Sequence, residues 1–465
     1  MNAILISAIW GIVLMFTGAF VKSKQVPKYL AILGAVLLLI GNSIELAQEG
    51  VPFFAYDTMS MLRTSSYNLI FIEVLLAATL MFFLLSGRDV EKVGEHVSEY
   101  FALIFFVLCG VAISCTYNNL LMLFIGIEIM SIPLYVLTGS SKLNLKSNEA
   151  SLKYFLMGAF STGILLLGIA FIYGGNVNAS FYINQIDFGS QELPAFIAVG
   201  IVLLIVALSF KVSAAPFHFW TPDVYDGAPA VFTSFMSTIV KAAGFFAFLR
   251  LFKSSLGTAP VQWQNLIVFI TILTLVIGNF TAVFQRSVKR MLAYSSIAQA
   301  GFMMLSIFAL NERGEEGLLL YAVAYSFATI GIFAILIKMK DYTIDGLNGL
   351  GKSHPLLALC GTIFLLSLTG IPLTAGFQSK FFMLLAASEV PGKIWVVIIA
   401  VLFAAVSAYY YFRVIQAMYF KLMVEDNMEA NEITTGFKIC IGACAAIIII
   451  LGIYPEFLLG WMHSY

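Results

Sequence analysis

The amino-acid sequence predicts an all-α polytopic membrane protein. Of its 465 residues, 61% are hydrophobic and only 11% are charged, whereas a soluble domain carries roughly 25% charged residues. A soluble protein of this size would have too few polar side chains to cover its surface. Apolar segments of about 17–25 residues, the length of a helix that crosses a bilayer, recur along the whole chain.

About fourteen of these segments are predicted to be transmembrane helices, so both termini lie on the same side of the membrane. The seventh and twelfth are long and contain proline or glycine, and we expect both helices to be broken. The predicted helices lie near residues 4–21, 29–47, 69–86, 100–116, 119–138, 153–173, 195–222, 229–252, 263–284, 291–310, 318–337, 356–388, 394–419 and 436–460.

Basic residues indicate the orientation of the chain. Loops that follow odd-numbered helices contain fifteen Lys and Arg residues, against four in loops that follow even-numbered helices. Because basic loops stay on the cytoplasmic side, both termini are predicted on the outer, periplasmic side of a bacterial inner membrane. Basic residues follow the first segment, Ile4 to Val21, instead of preceding it, so it is predicted to be a retained helix and not a signal peptide.

Helices four to eight and nine to thirteen form two predicted five-helix blocks of similar length. Because five is odd, the second block runs in the opposite direction across the membrane, and the two broken helices are the fourth members of the blocks. Such paired interruptions in inverted repeats indicate an ion-transport site. The predicted units are residues 1–99 (helices 1–3), 100–252 (first repeat), 253–419 (second repeat) and 420–465 (helix 14).

Four ionisable residues lie inside predicted helices and away from the helix ends: Glu128, Lys211, Lys241 and Lys380. A lysine inside the membrane costs about 2.5–3.5 kcal/mol, so a functional role is expected. Pro133 and Pro216 each follow one of these residues by five positions, and each is predicted to free a backbone carbonyl, that of Ile129 and that of Val212. The four groups are predicted either to form a static Glu–Lys pair that joins helices or to gain and lose protons when a neighbouring charge moves. Several groups at similar depth favour proton exchange.

Other charged residues near the helix ends allow a simpler interpretation. Lys153, Arg250 and Arg413 are placed where their charges could reach the headgroups without any further function. His218, near the end of the predicted seventh helix, is either a proton exit towards the cytoplasm or a histidine that only packs.

Polar residues also line the tenth and eleventh helices. Tyr321, Tyr325 and Thr329 recur at four-residue spacing on one helix face. Such a face could hold water, or it could join helices by hydrogen bonds. The polar residues at the start of the tenth helix are Ser295, Ser296 and Gln299.

The sequence indicates no redox or metal centre on this chain. Its five cysteines lie in apolar stretches without a CxxC pair, and its four histidines are scattered, unlike the ligand patterns of zinc, iron–sulfur or haem sites. The net charge is zero and no basic block is present, so no nucleic-acid partner is predicted. The glycine-rich stretch at residues 346–352 lies between two predicted helices, without the strand of a phosphate-binding loop, and is predicted to be a turn.

Three long stretches carry a resemblance to a known family. They are FKVSAAPFHFWTPDVYDGAPAVFTSFMSTIVKAAGFF from Phe210, RSVKRMLAYSSIAQAGFMML at residues 286–305 and SLTGIPLTAGFQSKFF at residues 367–382. These stretches resemble the antiporter-like membrane subunits of proton-pumping NADH–quinone oxidoreductase, respiratory complex I. The sequence around FHFWTPDVYDGAP is most similar to subunit N, and less similar to the sibling subunits L and M. The resemblance covers roughly residues 100–420.

The resemblance implies a fold of two inverted five-helix bundles and a proton path along a central polar axis. In that path a Glu128–Lys211 pair would pass protons through Lys241 to Lys380 and outwards. Lys153 matches the sixth-helix lysine of the family, and the predicted pathway residues are therefore Glu128, Lys153, Lys211, His218, Lys241 and Lys380.

The same resemblance implies that this chain carries no cofactor. NAD, FMN, iron–sulfur clusters and quinone are expected on partner subunits. The expected partners are the lipid bilayer and the other membrane subunits of complex I, including the sibling antiporter-like subunits.

Three alternatives remain open from the sequence. A multisubunit Na⁺/H⁺ antiporter subunit has the same fold, and so has a relative driven by ferredoxin or hydrogenase. The subunit-N-like residues 218–244 argue against both. A scaffold that only anchors neighbours is the third alternative, and the cost of burying three lysines argues against it.

Overall fold

The computed structural model describes residues 1–21, 23–54, 56–57, 59–176, 180–186, 194–253, 262–422, 428 and 433–464. Across these ranges the chain is helical with short connections, which confirms the all-α prediction. The helices are α1 (Asn2–Phe20), α2 (Gln25–Ala47), α3 (Ser66–Ser86), α4 (Val97–Thr116), α5 (Leu120–Thr138), α6 (Leu145–Gly175), α7 (Ala195–Lys211), α8 (Trp220–Gly227), α9 (Ala230–Phe235), α10 (Lys241–Leu251), α11 (Gln262–Val283), α12 (Val288–Ala309), α13 (Glu312–Ile337), α14 (Leu350–Ser353), α15 (Pro355–Thr369), α16 (Ala375–Ser388), α17 (Ile394–Phe420), α18 (Thr435–Ile453) and α19 (Glu456–Ser464).

Twelve helical spans in the described part of the chain are long and apolar enough to cross a membrane. One of them, Ala230–Leu251, joins α9 and α10 through a π-helical turn at Met236–Val240. The apolar helices α7 and α15 are shorter, with 17 and 15 residues, because the seventh and twelfth predicted segments are interrupted. The count of fourteen spans and the inverted repeats stay predictions.

The interruption of the seventh helix begins before its proline. α7 ends at Lys211, and the chain then turns with Ser213 in the left-handed region at φ 64°. The amide of Ala214 donates to the carbonyl oxygen of Ser209 at 2.8 Å. This closure is a Schellman motif, which satisfies carbonyls that a helix end would otherwise leave unpaired.

Pro216 therefore lies outside α7, in a segment of turns that spans residues 212–219. The prediction that it frees the carbonyl of Val212 within a helix is wrong, because the helix has already ended when the chain reaches Val212. Pro133, by contrast, lies inside the continuous helix α5.

The twelfth predicted helix is broken by the same type of motif. α15 ends at Thr369, and Gly370 follows at φ 89°. The amide of Ile371 donates to the carbonyl oxygen of Leu366 at 3.0 Å. Glycine adopts this backbone conformation without the steric cost that a side chain would add. The chain resumes as α16 at Ala375, so both breaks leave a helix C-terminus inside the protein.

Buried helices form the centre of the structure. The spans that contain α10, α12 and α13 are almost entirely buried, whereas no more than a third of the spans of α1, α6 and α17 is buried. Small residues let neighbouring helices approach closely, as is usual in membranes. A Cβ atom on Gly110 would lie 2.6 Å from the amide nitrogen of Met130, and one on Gly200 would lie 2.9 Å from the carbonyl oxygen of Gly168.

Two arginines bind the ends of neighbouring helices. Arg250 on α10 donates to the carbonyl oxygens of Tyr117 and Thr116, at 2.6 and 3.3 Å, where α4 ends. Arg413 on α17 donates to the carbonyl oxygen of Val283 at 2.9 Å, where α11 ends. These contacts give both arginines partners within the protein, and the placement of their charges near the headgroups stays a prediction. In each predicted five-helix block, the last helix thus holds the C-terminal end of the first.

Candidate functional site

Lys211 lies at the break that ends α7 and reaches across to α5. Its ammonium nitrogen donates to the hydroxyl of Ser131 at 2.6 Å. That hydroxyl in turn donates to the carbonyl oxygen of Ile127 at 2.5 Å. As the last residue of its helix, Lys211 also lies at the negative end of the α7 dipole, which favours a cation.

Glu128 does not form the expected ion pair with Lys211. It shares a face of α5 with Ile125 and Ile132, which are 41% and 56% exposed, so this face is turned away from the protein centre. The Oε1 atom of Glu128 is buried without a hydrogen-bond partner among the described residues. The hydrogen bond of Lys211 goes instead to Ser131, one turn further along α5, and the pairing of Glu128 with Lys211 stays a prediction.

Lys241 lies in the buried centre, 2% exposed, and is held by α12. Its ammonium nitrogen donates to the hydroxyl of Ser296 at 2.5 Å and to the carbonyl oxygen of the same residue at 2.8 Å. Gly244, one turn later on α10, packs against the break after α7. A Cβ atom there would lie 3.2 Å from Val212 and 3.8 Å from Cγ of Lys211. Lys211 and the turn after Lys241 are therefore neighbours.

Lys380 on α16 is held by the broken end of α15. Its ammonium nitrogen donates to the carbonyl oxygens of Leu368 and Thr369, at 2.8 and 3.1 Å. It also lies 4.4 Å from the centre of the Phe302 ring, a distance at which a cation is attracted to the ring face. A Cβ atom on Gly370 would lie 3.0 Å from Cδ of Lys380, so glycine at the break also makes room for this side chain.

Hydrogen bonds between helices connect the residues that lie around Lys241 with those that lie around Lys380. Gln299 on α12 donates through Nε2 to the carbonyl oxygen of Leu368 at 2.8 Å and to the hydroxyl of Tyr411 at 3.0 Å. Its Oε1 accepts a hydrogen bond from Tyr321. The hydroxyls of Ser295 and Tyr411 also form a hydrogen bond. These polar residues were predicted either to hold water or to join helices by hydrogen bonds. In the structure Ser295, Gln299 and Tyr321 join helices by hydrogen bonds.

Tyr325 and Thr329 continue the same face of α13. The hydroxyls of both residues are buried and find no hydrogen-bond partner among the described residues. Buried polar groups without a protein partner are uncommon, so this part of the face stays open to the water interpretation.

Lys153 lies apart from the other lysines, in a half-exposed group of charges. Its ammonium nitrogen is 2.7 Å from Glu149 and 2.8 Å from Asp223, and its side chain is 40% exposed. Asp223 also lies 3.4 Å from Arg290. Two carboxylates thus balance the charge of Lys153, whereas Lys211, Lys241 and Lys380 are hydrogen-bonded to uncharged oxygens.

His218 lies in the turn segment after α7, and its side chain is buried. Its ring stacks on Phe219 with 4.7 Å between the ring centres. Its Nδ1 atom has no hydrogen-bond partner among the described residues. Packing alone leaves a polar ring atom unsatisfied, and both interpretations of this histidine stay predictions.

Sequence analysis did not identify several residues that bind the lysines or their neighbours. Ser131 has a sequence signal, since it follows Glu128 by one helical turn, but one serine in an apolar helix is a weak signal. Asp223 lies in the distinctive stretch after Phe210 and was not assigned a role. Tyr411 lies in a run of three tyrosines, of which the structure selects one for the contact with Gln299. Among the described residues, no group of three or more His, Cys, Asp and Glu residues could hold a metal ion.

Comparisons with known proteins agree with this architecture. The family model "NADH:quinone oxidoreductase/Mrp antiporter, TM" matches residues 117–407. The chain is 37% identical to NADH-quinone oxidoreductase subunit N of Cytophaga hutchinsonii, over 99% of each chain. Its structure is similar to a chain of respiratory complex I from Thermus thermophilus, with a TM-score of 0.85, 30% identity and 98% of each chain covered. A chain of the Mrp complex from Dietzia sp. DQ12-45-1b shares the fold, with a TM-score of 0.84 and 19% identity over 99% of this chain and 95% of that one.

Proposed function

This chain belongs to the family of NADH:quinone oxidoreductase and Mrp antiporter membrane subunits, and on that premise we propose that it is the subunit N type of membrane subunit and moves protons across the membrane. In this proposal quinone reduction on other subunits drives the movement. NAD, FMN, iron–sulfur clusters and quinone bind to those partner subunits. The partners include the sibling antiporter-like subunits, and the complex lies in a bacterial inner membrane with both termini of this chain outside.

One observation carries the proposal: three lysines, Lys241 and Lys380 buried and Lys211 partly buried, are hydrogen-bonded only to uncharged oxygens. Their helices are connected, since α7 packs on α10 and α12 packs on both α10 and α16. Lys211 is bound to Ser131, Lys241 to Ser296, and Lys380 to the end of α15. A buried amine without a fixed counter-charge responds strongly to a charge that arrives nearby. A protein that only needed to anchor neighbours would gain nothing from the insertion cost of these lysines.

The proposed proton transfer starts at Glu128, on the face of α5 that is turned away from the protein centre. A change of charge beside Glu128 alters the proton held by Lys211, which lies one helical turn away through Ser131. Lys211 passes its proton to Lys241, whose following turn packs against it at Gly244. Lys380 then receives the proton and releases it to the outside. Lys153 acts in this scheme as a fixed positive charge near the membrane surface, and His218 lies on the cytoplasmic route.

The test is purification of the tagged chain from its native membrane in mild detergent, followed by a NADH:quinone reductase assay. Flavin absorbance and activity in the same particle are expected. After reconstitution into vesicles, NADH should drive proton movement, and Lys241→Met should reduce that movement at least tenfold.

Full proton movement by the Lys241→Met variant would contradict the proposed path. A particle without flavin or NADH activity that instead moves protons in exchange for Na⁺ would indicate an antiporter complex.

A further inference from the structure

Gln299 lies between Lys241 and Lys380, the two buried lysines at the end of the proposed proton path. It is fully buried and has hydrogen bonds to three helices: α15 through the carbonyl of Leu368, α17 through Tyr411 and α13 through Tyr321. Both hydrogens of its amide nitrogen and its amide oxygen are used. The contact with Leu368 fixes the orientation of the amide, since turning it over would place the amide oxygen against a carbonyl oxygen, which cannot donate.

The partners of Gln299 lead in two directions. On one side, Tyr411 is hydrogen-bonded to Ser295, whose neighbour Ser296 binds Lys241. On the other side, the carbonyl oxygen of Leu368 accepts hydrogen bonds from both Gln299 and Lys380. The shortest hydrogen-bonded connection from Tyr411 to Lys380 therefore passes through this one amide.

The chemistry of the groups differs along this connection. A serine or tyrosine hydroxyl can accept one proton and release another, so it can relay protons. An amide donates from nitrogen and accepts at oxygen, and it can pass a proton only by becoming the unstable imidic acid tautomer. A backbone carbonyl has no proton to release. Gln299 and the carbonyl of Leu368 thus join the helices without conducting protons.

We propose that Gln299 is a positioning residue that acts as a proton barrier between Lys241 and Lys380. It holds Tyr321 and Tyr411 in place and blocks direct proton exchange in the state that the structure shows. A pump needs such a barrier, because a permanently conducting path would let protons flow back. The inference rests on the proposed function and adds to it the location of the barrier to proton transfer.

The proposal predicts different results for three variants of Gln299. Gln299→Glu nearly keeps the shape of the side chain and places a group there that can both accept and release a proton. Gln299→Ser is neutral and smaller, and it adds a hydroxyl with room for water. Gln299→Met keeps the approximate length of the side chain but can neither accept nor release a proton, and it is the matched control.

The experiment uses the whole oxidoreductase in sealed vesicles. NADH generates a pH difference, the donor is then exhausted, and the decay of the pH difference is followed with a pH-sensitive dye. Gln299→Glu and Gln299→Ser are expected to accelerate the decay at least fivefold over the wild-type complex, whereas Gln299→Met does not accelerate it. The flavin content per tagged chain measures assembly of each variant.

Several outcomes would contradict the proposal that Gln299 is a proton barrier. They are an unchanged decay in assembled Gln299→Glu and Gln299→Ser complexes, an equal acceleration in Gln299→Met, and failure of all three variants to assemble, which would assign Gln299 a purely structural role. A wild-type complex that generates no pH difference with NADH would instead contradict the proposed function. The two failures are therefore distinguishable.

Discussion

Lys241 lies with its ammonium nitrogen 2.5 Å from the hydroxyl and 2.8 Å from the carbonyl oxygen of Ser296. One residue of α12 thus supplies two of the three acceptors that an ammonium group can use. Neither side chain is exposed, so no lipid headgroup or bulk water replaces these contacts. This geometry makes Ser296 the residue through which α12 acts on Lys241.

Replacement of Ser296 by alanine should therefore slow proton movement. A hydrogen bond to a charged group contributes about 1.5–3 kcal/mol, and we expect Ser296→Ala to reduce the NADH-driven rate about tenfold, since about 1.4 kcal/mol corresponds to a factor of ten. The measurement is the initial rate of proton uptake into vesicles. Ser306→Ala on the same helix is the control, because its buried hydroxyl has no partner among the described residues. Equal rates for both variants would refute the assignment.

Gly370→Ala should affect both stability and proton movement. A side chain at φ 89° costs roughly 1–2 kcal/mol, and the new Cβ atom would lie 3.0 Å from Cδ of Lys380. Gly392→Ala separates the two effects, because Gly392 has φ 72° but no neighbouring atom within 4 Å of the place that a new methyl group would take. We expect both variants to lower the thermal stability of the complex, and only Gly370→Ala to reduce the pumping rate per assembled complex.

Loss of the helix-capping arginines should weaken the fold. Arg250→Gln and Arg413→Gln each leave carbonyl oxygens without their charged donor, which costs about 1–3 kcal/mol where the group is buried. The temperature at which the chain dissociates from the purified complex should fall for both variants. Arg63→Gln is the comparison: its side chain is exposed, and such surface changes usually stay within about 0.5 kcal/mol. A similar temperature for all three would contradict the capping role.

Replacement by arginine should distinguish fixed charges from proton carriers. Arginine keeps its proton under all conditions of interest, so Lys211→Arg is expected to abolish pumping. Lys153→Arg keeps the positive charge opposite Glu149 and Asp223 and should retain most of the activity. Proton movement normalised to flavin content is the readout. Loss of pumping in Lys153→Arg would instead make this lysine a proton carrier.

The helical breaks were predictable because their signals are local. Proline and glycine in long apolar segments indicated interruptions in the seventh and twelfth helices, and α7 and α15 do end there. The position of the first break was not predictable, because α7 closes at Lys211 through a turn at Ser213, a residue that seldom adopts the left-handed conformation. The sequence favoured Pro216 instead.

The sequence predicts how deep a side chain lies in the membrane better than it predicts which neighbouring helix that side chain faces. Glu128 is predicted to pair with Lys211, but the residue of α5 that accepts the hydrogen bond of Lys211 in the structure is Ser131. Helical periodicity shows that two residues share a face, but it does not show which face meets which neighbouring helix. The partners of Arg250 and Arg413 were not predictable for the same reason, because they are helix ends far away in the sequence.

The amino-acid sequence establishes which charged residues enter the membrane, because hydropathy and residue type set the insertion cost of each segment. It also indicates that Lys211, Lys241 and Lys380 need polar partners. Which oxygen atoms serve as those partners depends on the tertiary fold. Ser131 is 80 residues from Lys211, and Ser296 is 55 residues from Lys241. Contacts over such separations depend on how whole helices pack, and no local pattern of residues specifies that packing.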